Sequence, residues 1–195
     1  MIQMYLSLLA AKDGNFLNFA ETHRCDGFHL DMIDGYYAPN LGVPHWIIPA
    51  LRQLGKPIQV HLMVKEPEKF VELVLPYRPD SVFFHVETAR DPAGLIEGIK
   101  CAGSKVGIVW DNNTDLVQKY FHLMDEILFM TVKPGFGGQS FVVERLEEID
   151  KIMRKLPETK LTWVDGGVNG SNLGLIRALG VTGAVAGSGI DTIYS

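Results

Sequence analysis

Eight short runs of apolar, β-branched or aromatic residues recur along this chain, separated by longer stretches with helical periodicity. That alternation is what parallel strands joined by crossover helices produce. The runs fall at residues 4–9, 27–31, 58–63, 81–86, 105–110, 126–131, 161–165 and 182–186. Helical patterns occupy residues 15–23, 46–54, 67–75, 92–101, 116–122, 143–156 and 171–179. Seven strand–helix units followed by a final strand fit a closed (β/α)8 TIM barrel better than an open sheet. The 195 residues suit one domain over residues 1–195. Few residues follow Gly187-Ser188-Gly189, so the eighth helix is expected to be short. The first and last strands would then need cover from tight packing or from a second copy of the chain.

Charge and cysteine content narrow the function classes. The net charge is −5 and no run of Lys or Arg occurs, so there is no electrostatic footprint for nucleic acid. An anionic ligand must therefore be met by local groups. Cys25 and Cys101 are the two cysteines and form no CxxC pair, which argues against a disulfide framework or thiolate metal site. The N-terminal residues lack an export-signal pattern, and no stretch is long enough to span a bilayer. The expected setting is the cytoplasm, without a membrane partner.

His29 and Asp31 lie two apart in an apolar run, so on a strand both side chains point to one face. His61 and Asp165 fall at the ends of two other candidate strands. Two imidazoles and two carboxylates converging in a barrel would be costly without a cation, and they suit a divalent metal. Such an ion polarises a substrate oxygen and makes a neighbouring C–H acidic. Gly166-Gly167 and Gly187-Ser188-Gly189 follow the seventh and eighth strands, where barrels often bind phosphate on backbone N–H groups. Pro134-Gly135-Phe136-Gly137-Gly138-Gln139 follows the sixth and can close over the same ligand.

The ordered series Ser7, His29-Leu30-Asp31, Ile33-Asp34-Gly35, Pro39-Asn40, His61-Leu62-Met63, Met130-Thr131-Val132, residues 134–139, Val164-Asp165-Gly166-Gly167 and Ala186-Gly187-Ser188 resembles the ribulose-phosphate 3-epimerase family over almost the whole chain. The resemblance implies a metal-dependent (β/α)8 barrel in which His29, Asp31, His61 and Asp165 hold one divalent ion, whether Zn, Fe, Mn or Co. It makes Asp31 and Asp165 the catalytic acid/base pair, working through a metal-stabilised cis-enediolate. It places Ser7, His61, Met63, Met130, Gly135, Phe136, Gly137 and Gly138 against the substrate, with Gly166, Gly167, Gly187 and Ser188 on its phosphate. The implied substrate is a ketose phosphate, with D-ribulose 5-phosphate and D-xylulose 5-phosphate as the leading pair. D-Allulose 6-phosphate is the close alternative, and a noncatalytic sugar-phosphate sensor the more distant one. Family members commonly form dimers or hexamers, so a homo-oligomer is expected.

Other residues carry weaker signals. His85 and Glu87 fit the family's His-Val-Glu run and read as a hydrogen-bonded layer, while Asp34 reads as orienting the metal ligands. Departures from the family pattern are Ile33 for Met, Tyr36-Tyr37 for His-Phe and Asp111-Asn112 for Asn-Pro. Lys133 replaces a small, polar or acidic residue and offers a cation for the phosphate. The Asp-x-Lys-x-x-Asp run of decarboxylases on related barrels is missing, since Asp31-Met32-Ile33-Asp34 contains no Lys.

Overall fold

A computed structural model of the protein describes residues 2–194. Its strands are β1 (Gln3–Ser7), β2 (Gly27–Ile33), β3 (Ile58–Met63), β4 (Ser81–Phe84), β5 (Lys105–Trp110), β6 (Glu126–Met130), β7 (Leu161–Asp165) and β8 (Gly183–Ala186). Among the described residues they pair in sequential order, parallel throughout, and β8 closes on β1. The connecting helices are α1 (Phe16–Thr22), α2 (Ile48–Arg52), α3 (Pro67–Val74), α4 (Pro92–Cys101), α5 (Thr114–Gln118), α6 (Arg145–Met153) and α7 (Leu173–Ala178), and α8 (Asp191–Tyr194) follows the last strand. This is the expected (β/α)8 TIM barrel.

Local chemistry sets the helix starts. Asn15, Asp91 and Asn113 cap α1, α4 and α5 by accepting from the N–H groups of Asn18, Gly94 and Leu116. Pro67 and Pro92 occupy first-turn positions where no N–H donor is required. The Asn113 cap starts α5 two residues before the apolar pattern that suggested 116–122. Strands β1 and β4 end earlier than their apolar runs, because Leu8–Ala10 and Val86–Thr88 turn into single 3-10 turns at the barrel rim.

The barrel interior is filled by rings set against glycines. Tyr5, Phe83 and Trp163 are register partners of Gly27, Gly107 and Gly183 on the next strand. A Cβ at those glycines would lie 2.4, 2.1 and 2.1 Å from the respective rings, so only glycine leaves room for them. Beneath this layer the buried Glu126 accepts hydrogen bonds from Ser81 Oγ at 2.8 Å and Trp163 Nε1 at 2.7 Å.

The flank beside the short α8 is covered by tight packing within the chain, one of the two forms of cover that the sequence calls for. Met4, Leu6, Ala184 and Ala186 are all buried, with Ile190 buried and Ile193 and Tyr194 packed against the same core. Small alanines on β8 let one helical turn do what a longer helix would do over larger side chains.

Candidate active site

Strand register assembles the site. Ser7 sits opposite His29, His29 opposite Gln59, and Asp31 opposite His61, while Asp165 lies between Met130 and Val185. His29, Asp31, His61 and Asp165 thus reach the carboxyl-terminal end of the barrel, the end that carries chemistry in this fold. One candidate ligand atom from each lies within 4.8 Å of the others. Asp31 Oδ1 is 3.3 Å from His29 Nε2 and 3.1 Å from His61 Nδ1, and Asp165 Oδ2 is 3.8 Å from both. Both imidazoles and Asp31 are buried, whereas 13% of the Asp165 side chain faces the cavity.

The donor set fits a divalent cation. His29 Nδ1–H donates to Gln59 Oε1 at 3.1 Å, which leaves the Nε2 lone pair turned to the centre, and that buried atom has no hydrogen-bond partner among the described residues. Ser7 Oγ donates to Asp31 Oδ2 at 2.6 Å, leaving Oδ1 for the centre. The electrostatics show the strain of packing these groups together. Burial opposes charge on both imidazoles, yet the Asp31 and Asp165 carboxylates hold His29 up at about 9. At His61 burial prevails and the value falls to about 4. Burial and then the neighbouring Asp31 charge push Asp165 up to about 7, while the two imidazoles overcome burial at Asp31 and hold it well below the usual carboxylate range. Two carboxylates facing two buried imidazoles call for positive charge at the centre, which a divalent ion would supply.

Above the ring opens a cavity of about 560 Å³, a volume suited to a small metabolite. Its wall carries Ser7, Asp31, Met63, Met130 and Asp165 at the base and Gly135 to Gly138 on one side. Gly166, Gly167, Gly187 and Ser188 form the other side. His29 and His61 stand behind the wall and reach the centre only through their ring nitrogens. Phe136 lies at the mouth, 44% exposed. The loops after β2 and β6 are tied together where Asn40 Nδ2 donates to the Gly135 carbonyl at 2.8 Å. Gly135 has φ +107, and a Cβ there would lie 2.3 Å from that of Ala38.

Several sequence readings change. Lys133 is exposed and lies off the cavity wall, while its carbonyl accepts from Gln139 Nε2 at 2.6 Å. Lys12, which the sequence did not single out, is the one cationic side chain on the wall among the described residues. Asp34 makes no hydrogen bond to the candidate ligands: it accepts from the backbone N–H groups of Tyr36, Tyr37 and Lys65 and so folds the loop after β2. Asn169 and Asn172 both donate to the Gly167 carbonyl and fix the turn after β7, which the Asn169-Gly170-Ser171-Asn172 run could have signalled. Two departures have structural reasons. Asp111 pairs with Arg145 at 2.9 Å, and Arg145 also donates to the Met130 carbonyl at 2.6 Å. Asn112 has φ +68, which proline cannot adopt and Asn tolerates.

Comparison with known proteins agrees with this arrangement. The family model described as "Ribulose-phosphate 3 epimerase family" matches residues 3–191. The ribulose-phosphate 3-epimerase of Helicobacter pylori strain J99 is 34% identical over 192 residues, covering 93% of this chain and 87% of that protein. The ribulose-phosphate 3-epimerase of Bacillus subtilis strain 168 is 33% identical over 200 residues, covering 97% and 92%. The crystal structure of KGPDC from Streptococcus mutans superposes with a TM-score of 0.69 at 14% identity over 97% of this chain and 89% of that one, a likeness of fold alone.

Proposed function

The chain belongs to the ribulose-phosphate 3-epimerase family, a family of isomerases, and from that premise we propose that it interconverts D-ribulose 5-phosphate and D-xylulose 5-phosphate with one divalent metal ion. The observation that carries this reading is the ring of His29, Asp31, His61 and Asp165, its four ligand atoms within 4.8 Å of one another at the base of a cavity. When bound, the ion supplies Lewis-acid stabilisation of the negative charge that develops on the substrate's ketone and adjacent hydroxyl oxygens.

The protein's own groups do the rest. Epimerisation needs a base on one face of C3 and an acid on the other. Asp31 on β2 and Asp165 on β7 flank the adjacent strands β1 and β8, so a substrate lying over Ser7 and Val185 has a carboxylate on either side. One removes the C3 proton, its electron pair moving toward the ketone oxygen to form the enediolate. The other returns a proton to the opposite face, and the roles exchange in the reverse direction. Met63 and Met130 form a polarizable wall that keeps water from the planar intermediate. Backbone N–H groups of Gly166, Gly167, Gly187 and Ser188 receive the phosphate, with Lys12 adding the positive charge that a chain of net charge −5 must supply locally.

The reading is tested by incubating metal-loaded protein with D-ribulose 5-phosphate and, separately, D-allulose 6-phosphate, and following the product by NMR beside a chelator-treated control. Metal-dependent formation of xylulose 5-phosphate is expected. Preferential turnover of the hexulose phosphate would reassign the substrate, and no turnover of either despite bound metal would replace the enzyme with a sensor.

A further inference from the structure

On the side of His61 away from the cavity lie a second imidazole, a phenol and a carboxylate. His85 is fully buried at the end of β4, and its Nε2 is 3.1 Å from His61 Nε2. His85 Nδ1 is 2.9 Å from Tyr37 Oη and 3.3 Å from Glu87 Oε1. The rings of His61 and His85 stack with centroids 5.3 Å apart, and those of Tyr37 and His85 are 4.7 Å apart. Each partner is itself anchored. The His85 carbonyl accepts from Thr88 Oγ1 at 2.8 Å, and Asp34 Oδ1 holds the Tyr37 N–H at 2.9 Å.

Proton counting gives this cluster a direction. His61 turns Nδ1 toward the ring of candidate ligands, so a lone pair there requires its proton on Nε2. That Nε2–H meets His85 Nε2, which can accept only if the His85 proton is on Nδ1. A carboxylate accepts and never donates when ionised, so Glu87 fixes that proton on Nδ1. The Tyr37 hydroxyl beside both groups accepts from Nδ1–H or donates to Glu87.

We propose that Glu87, Tyr37 and His85 are positioning residues that keep the His61 proton on Nε2 and so present its Nδ1 lone pair to the metal ion. The inference rests on the metal-dependent reading above. Gln59 does the corresponding work for His29 in one step, whereas His61 is reached through a relay from the loops after β2 and β4.

The test uses the full chain loaded with cobalt(II), reading affinity by competition with a chromophoric chelator and geometry from the visible spectrum. Glu87→Ala and His85→Phe are each expected to weaken binding by about 10–100-fold and to shift the cobalt bands. Glu87→Gln, which keeps an acceptor oxygen, should recover most of the loss, and Tyr37→Phe should act in the same direction but more weakly. Glu87→Ala should cost little more once His85→Phe is present, because the groups act in series. Wild-type affinity and an unchanged spectrum in Glu87→Ala would overturn the inference while leaving the metal site standing. Failure of the unmutated protein to bind cobalt would remove the metal reading and the relay with it. Should His85→Phe not fold, the more exposed Glu87 and Tyr37 variants still decide the question.

Discussion

At the scale of single residues, the chemistry turns on groups that oppose one another across a short distance. Replacing Lys12 by Met should raise KM for the sugar phosphate by about tenfold with kcat little changed, the size of one charge-assisted hydrogen bond. Steady-state kinetics at two ionic strengths would check it, since a lysine contact to a dianion weakens with salt. Its role was not legible in the sequence, because Lys12-Asp13-Gly14 reads like any solvated turn and only the closed barrel brings it to the same cavity as Gly187. The candidate cluster of two His and two Asp was legible. The two-residue spacing of His29 and Asp31 on a strand fixes their common face, His61 lies opposite Asp31 in the register, and Asp165 ends β7. The Tyr37 contact with His85 spans 48 positions of sequence, and no local pattern announces a contact of that range.

At the scale of elements, the strand cores could be read closely and the rims could not. β3, β5 and β7 match their expected runs end to end, since burial on both faces concentrates apolar residues within them. The rim turns depend on contacts between loops, such as Asn40 with Gly135, that join distant parts of the chain. Those contacts should matter for turnover more than for folding. Gly135→Ala combines a left-handed φ with a clash against Ala38, so it should displace the loop after β6 at a cost of about 1–3 kcal/mol. The expected result is a several-fold rise in KM with the barrel still folded, read by kinetics beside far-ultraviolet circular dichroism.

At the scale of the whole molecule, the barrel separates stability from chemistry. No helix of the described residues is long and apolar enough to cross a membrane. The floor is sealed by Glu126, whose carboxyl is pushed above its ordinary value first by burial, with Ser81, Lys105 and Trp163 opposing. The folded state therefore holds that proton more tightly than the unfolded chain does. Stability from this group is full at low pH and falls as pH rises from near the ordinary 4.5 through the folded value. Glu126→Gln should flatten that fall and make the protein more stable at neutral pH, by thermal melts across pH, without altering turnover at the opposite end of the barrel. The metal-dependent, two-carboxylate epimerisation is tested most directly by deuterium entry at C3 of each epimer, in metal-loaded Asp31→Asn and Asp165→Asn beside the unmutated protein. The unmutated protein should label both epimers, and each variant should lose epimerisation by about 10²–10⁴-fold, keeping exchange on at most one epimer. Near-normal epimerisation, or exchange on both epimers, in either metal-bearing variant would contradict the account.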